Sequence, residues 1–186
     1  GAIEALRDMH ANVTEDARRT DRLADIKRGP GGIREIEFLV QTFQLLRGGR
    51  LKSLQTASIF SAMAEISKLE LLPADAIVQM RAAYRFLRRT ENRIQALHDQ
   101  QTHEVPDGED GLRVARAMGF ESMESFNLAL ERTRASVQNL FEESLPPSSE
   151  PANTKNPWHI YWQGVRNNIQ QKKSKFVERK PLKGFV

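Results

Sequence analysis

Apolar residues recur along most of this chain at three- and four-residue intervals, the spacing of one helical face, and nowhere alternate long enough to mark a strand. Ile3, Leu6, Val13 and Ala17 predict a first helix over residues 2–20. Leu23 to Arg28 is too short for another and reads as an extended segment running into the tight loop Gly29-Pro30-Gly31-Gly32. A second helix opens directly from that loop, with Ile36, Leu39, Val40, Phe43 and Leu46 inward, and stops at Gly48-Gly49. The third is expected from about Thr56 to Leu69, burying Ile59, Phe60, Met63 and Ile66. Pro73 suits the first turn of the fourth and longest, whose stripe is Ile77, Met80, Tyr84, Leu87, Ile94 and Leu97. A short helix from Glu109 or Asp110 to Met118 ends at Gly119. Ser122 then caps a last helix with Phe126, Leu130, Val137, Leu140 and Phe141 inward. The fold class is therefore all-α, an antiparallel bundle of about five to six helices with a Gly-rich loop before the second.

After Leu145 the pattern gives way to a Pro-, Ser- and Asn-rich stretch, a linker over 146–157. Residues 1–145 then form one helical domain, and 158–186 a short helix around Trp158 to Val165 followed by a basic tail. Apolar residues make up 39% and charged residues 28%, enough for a packed core and too polar for any run to cross a bilayer. The first ten residues carry acids and lack an uncharged apolar stretch, so they do not read as a secretory signal, and the expectation is a piece cut from a longer chain. With no cysteine there is neither a disulfide nor a thiolate metal site, and cytoplasmic localisation is the expectation. The formal charge of +4 is unevenly placed: residues 151–186 carry +7, which leaves −3 for residues 1–150. A solvated basic tail accounts for the high pI, and no specific nucleic-acid partner follows from it.

Chemistry is concentrated in Asp25 to Phe38, DIKRGPGGIREIEF. A glycine loop opening into a helix offers unpaired N–H groups and a positive dipole end to an anion such as phosphate, and Lys27 and Arg34 flank it. The spacing is neither a Walker A loop nor a dinucleotide fingerprint, and a tight turn that reverses the chain is the competing reading. Lys27 and Arg34 pointing outward at a shared anion-sized concavity would support a functional site at this loop; pairing inside the bundle would remove that local support and leave an interaction module whose loop is only a turn. Arg34, Glu37, Gln41 and Gln44 share a polar stripe, as do Arg81, Arg85, Arg88, Asn92 and Gln95 on the long helix. Glu91 falls among Tyr84, Leu87 and Ile94 on the apolar side, so Arg34 or another helix-borne arginine is expected to pair with it. No Asp-x-Asp occurs, and the histidines at 10, 98, 103 and 159 make no ligand pair; His98-Asp99 lacks the companions a metal centre needs. His103 reads as an anchor for its loop. No catalytic or metal-binding residue is assigned to this chain.

Several ordered motifs resemble one family. Asp25 to Phe38, with VQTFQLLRGGR from Val40 to Arg50 and SLQT to Thr56, is similar to the helical domain behind the N-terminal nucleotidyltransferase domain of bacterial glutamine synthetase adenylyltransferase, the adenylyl-removing enzyme. FLRRTENRIQ (86–95), DQQTHEVP (99–106) and Met118-Gly-Phe120 follow in the same order, so the resemblance covers roughly residues 1–145. It implies a fragment of a bifunctional enzyme that attaches AMP to glutamine synthetase and removes it by phosphorolysis, a control of nitrogen metabolism. The GGIREIEF and FLRR stretches look more like the first copy, which implies the deadenylylating half. Implied partners are the N-terminal nucleotidyltransferase domain, glutamine synthetase and, as a further candidate, the PII regulatory protein; a related loop also occurs in PII uridylyltransferases. Mg²⁺ and ATP or ADP would bind mainly outside this chain, which carries no catalytic Asp-x-Asp, and the fragment alone would be inactive. Lys27, Gly29, Gly31, Gly32, Arg34, Glu35 and Glu37 are the phosphate-proximal candidates. The alternative is a non-catalytic helical interaction module.

Overall fold

The computed structural model describes residues 24–98 and 102–144. The expected first helix, the linker and the Trp158 segment lie outside them. Five helices follow in order: α1 Ile33–Arg47, α2 Ile59–Lys68, α3 Ala74–His98, α4 Gly108–Ala117 and α5 Met123–Ser144, with a 3₁₀ turn at Lys52–Leu54. No strand forms among the described residues; a single antiparallel bridge joins Asp25 to Glu104. These elements lie in the first of two compact units, Gly1–Glu142 and Glu143–Val186, apart from the last two residues of α5.

The helix boundaries have local causes. Ser58 caps α2 by accepting from Ser61 N at 3.3 Å, so the helix begins at Ile59, three residues after the expected start at about Thr56. Ile77 N donates to the Pro73 carbonyl at 3.1 Å, putting the proline at the mouth of α3, where its missing N–H costs nothing. Ser122 caps α5, accepting from Ser125 N at 3.2 Å. Gly119 takes φ +92 behind α4, the left-handed stop expected there. Gly48 differs: it sits at φ −60, in the right-handed region, and α1 is closed instead by Arg50 N and Leu51 N donating to the Arg47 carbonyl.

α1 packs on α2 and α3, α2 on α3, and α4 on α3. The buried core takes Ile36, Leu39, Val40 and Phe43 from α1, Met63 and Ile66 from α2, and Met80, Leu87 and Ile94 from α3. α5 joins through large side chains: Phe126 meets Phe86 and Phe120 at centroid distances of 6.3 and 5.7 Å, and Phe141 stacks on Phe38 at 5.9 Å. Phe60 was expected inside and is only half-buried. Its ring meets Tyr84 edge-on at 5.5 Å, and the guanidiniums of Arg81 and Arg85 lie over it at 5.7 and 5.3 Å.

Candidate functional site

The glycine loop is fastened from within and from three sides. The Asp25 side chain accepts from the backbone N–H of Lys27 and of Arg28, both at 2.8 Å, folding the chain into the turn. Gly29 N donates to the Asp25 carbonyl, Gly32 N to Gly29, Ile33 N to Ile26 and Arg34 N to Lys27, at 2.9 to 3.1 Å. The sequence suggests open N–H groups at this helix start. The structure corrects that, because the loop folds its own carbonyls back onto them. Ile26 and Ile33 are fully buried on either side of the turn, and Ile26 N also donates to the His103 carbonyl at 2.9 Å. Gly31 has φ +67, and a Cβ there would collide with the backbone of Arg134 on α5.

Charge completes the fastening. Glu91 on α3 is 2% exposed and gathers three partners: Lys27 Nζ at 3.2 Å, His103 Nδ1 at 3.0 Å and Arg88 one turn away. A carboxylate this deep is stable only with such company. The Lys27 and Arg88 side chains stay 31% and 41% exposed, so the carboxylate is inside and its cations reach it from the rim. Gln95 Nε2 lies 3.5 Å from His103 Nδ1, extending the same row along α3. On the other flank Arg134 donates to the Asp25 carbonyl at 2.8 Å. Burial pulls its guanidinium below the usual arginine range, and the nearby Asp25 and Glu35 carboxylates oppose that pull. Glu35 itself is 8% exposed.

The sequence-derived candidates therefore divide. Lys27, Gly29, Gly31 and Gly32 come together in the fastened turn, while on the first turn of α1 Glu35 is buried near Arg134 and Arg34 is exposed. Glu37 accepts from the Tyr84 hydroxyl at 3.1 Å; burial, then Glu37, raises the Tyr84 pKa above the usual tyrosine range. The arginine on Glu91 is Arg88, from the same helix, and His103 anchors its loop as expected. Gln44 is also structural, donating to the carbonyls of Leu54 and Thr56 at 2.7 and 2.8 Å. Arg134 and Asp25 were not anticipated. Arg134 had the same signal as Glu91, a charge between Leu130 and Val137 on an apolar stripe, and Asp25 stands ahead of a turn where Asp often closes it.

An open groove of about 530 Å³ lined by Gln41, Leu45, Leu54 and Gln55 shares no lining residue with the turn. Among the described residues no three His, Asp or Glu side chains converge as metal ligands, and no helix is long and apolar enough to cross a membrane. Of the buried acids, Glu91 is met by Lys27, Arg88 and His103, and the Asp25 side chain by the Lys27 and Arg28 amides.

A family model described as GlnD PII-uridylyltransferase matches residues 7–145. The chain is 47% identical over 144 residues to the bifunctional glutamine synthetase adenylyltransferase/adenylyl-removing enzyme of Nitrosococcus oceani, covering 77% of this chain and 15% of that protein. It is 44% identical over 144 residues to the protein of the same name from Thioalkalivibrio sulfidiphilus, with the same coverage. Against that of Neisseria meningitidis it is 35% identical over 164 residues, 88% of this chain and 18% of the relative. The chain thus spans less than a fifth of the length of these relatives.

Proposed function

The chain belongs to the family described as GlnD PII-uridylyltransferase, and on that premise we propose that it is a helical domain of an enzyme that adenylylates and deadenylylates glutamine synthetase. The observation that carries this reading is the 47% identity over 144 residues to a segment forming only 15% of a protein with that printed activity. The GGIREIEF and FLRR stretches favour the deadenylylating half. The domain's part is positioning. Its glycine turn, locked to α3 and α5, forms the rigid floor of a seam with a nucleotidyltransferase domain, and exposed Arg34 is the cation facing that seam. ATP or ADP and Mg²⁺ bind through residues outside this chain, and the isolated domain has no turnover.

The test is reconstitution: the chain is mixed with a separately expressed N-terminal nucleotidyltransferase domain, adenylylated glutamine synthetase, Mg²⁺ and phosphate, and ADP release is followed. Restored release that falls at least about tenfold with Arg34→Ala, a loss of about 1.4 kcal/mol of transition-state stabilisation, supports the seam. No restoration with both pieces folded and associated replaces this reading with a non-catalytic interaction module.

A further inference from the structure

Residues 24–144 hold sixteen Lys or Arg against seventeen Asp or Glu, so this part of the chain is nearly neutral. Its cations are nonetheless gathered. Between Arg81 and Arg93 helix α3 carries five arginines and one acid, Glu91, which is buried and paired. With Arg88 committed to Glu91, Arg81, Arg85, Arg89 and Arg93 remain, and none meets an acidic side chain among the described residues. At α-helical rise they span about 18 Å, and Arg85, Arg89 and Arg93 fall four apart on one exposed stripe.

Two features make the row a built surface. Arg81 and Arg85 lie over the Phe60 ring, which holds their long side chains in place while leaving guanidinium donors at the surface. At the row's N-terminal end Val78, 66% exposed, lies on the same side of the helix and supplies an apolar contact. Guanidinium forks at helical spacing fit carboxylates presented at helical spacing, each pair bidentate. A nucleic acid fits less well: the near-neutral balance gives no broad attractive field, Tyr84 is buried, and the half-buried Phe60 ring is already faced by Arg81 and Arg85.

We propose that the exposed face of α3 from Val78 to Arg93 docks an acidic helix of a partner protein. The proposal is independent of the seam at the glycine turn, since none of its residues belongs to that turn. The probe is a fluorescently labelled, capped helical peptide with glutamates four residues apart, titrated with the full chain and read by anisotropy at several salt concentrations. Salt-sensitive binding is expected to weaken at least about tenfold, or 1.4 kcal/mol, in Arg89→Glu/Arg93→Glu. Arg89→Gln/Arg93→Gln should give a smaller loss, with helicity unchanged in both. Reversal in the tail, Lys172→Glu/Lys173→Glu/Lys175→Glu, should leave binding intact, and a peptide of equal charge with its glutamates spread around the helix should bind less tightly. Absence of binding, binding that survives the α3 reversal, or binding lost with the tail reversal overturns the proposal. So does tighter α3-dependent binding of a single-stranded oligonucleotide or of phosphatidylserine vesicles.

Discussion

Glu91→Gln keeps the size of the side chain and removes the charge that holds Lys27, Arg88 and His103 together. Removing one member of a buried ion pair generally costs about 3–5 kcal/mol. Here the acid is 2% exposed, but its cations are 31% and 41% exposed, so water recovers part of their solvation once the carboxylate has gone. The expected loss is therefore about 2–3 kcal/mol, above what a surface pair returns. In a domain of this size that lowers Tm by about 4–12 °C. Urea denaturation of the full chain, followed by far-UV circular dichroism, gives the number. Hydrogen exchange locates it, because the amides of Ile26, Ile33 and Arg34 should lose protection before those in the middle of α3. A cycle with Lys27→Met separates the pair from general disruption. A loss below about 1 kcal/mol, with no change in exchange at the turn, would refute the reasoning and leave the pair a rim contact.

Three further outcomes follow from the same geometry. Gly31→Ala should cost about 2 kcal/mol or more in denaturant, since φ +67 alone is unfavourable by about 1–2 kcal/mol for an L-residue and the Arg134 backbone blocks the methyl. Arg134→Leu should cost about 2–3 kcal/mol and loosen the turn in hydrogen exchange, because the Asp25 carbonyl loses its donor and Asp25 and Glu35 lose a nearby cation. Tyr84 has a folded-state pKa raised above the unfolded one, so its protonated form belongs to the native state. That contribution is complete below the ordinary tyrosine range and is lost as pH climbs through the raised value; Tyr84→Phe should flatten the alkaline fall in stability while costing about 0.5–1.5 kcal/mol at neutral pH.

The helices were legible because their apolar periodicity is long and their stops are chemical. Ser122, Pro73 and Gly119 each sit where the structure ends or begins an element. Phe60 was misplaced by the same rule, since periodicity marks a face but cannot show that two arginines would cover part of it. The turn was legible as a turn; its partners were not. Whether a helix-start N–H is open depends on where the preceding carbonyls fold, and here Ile26 and Lys27 turn theirs back onto Ile33 and Arg34, a path that residue spacing does not show. Glu91 announced itself as a charge on an apolar stripe. Arg134 stood in the same pattern 109 residues from the carbonyl it holds, and sequence spacing carries no distance across such a gap.

What the charges at this turn add is direction. Ile26 and Ile33, both fully buried, would hold the segment against the core at several registers, because apolar burial scales with area and has little angular preference. A carboxylate at Glu91 accepts Lys27 from one side, and a guanidinium at Arg134 reaches the Asp25 carbonyl from the other. Shifting the loop by one residue would strand both. Buried ionic groups are a poor source of net stability, since desolvation cancels most of their attraction, so their value here is in the one position they permit. That position fixes the start of α1 and with it the outward path of Arg34. If the proposed role holds, and the domain keeps one surface at a set angle to a neighbour, that kind of constraint serves it more than additional stability would.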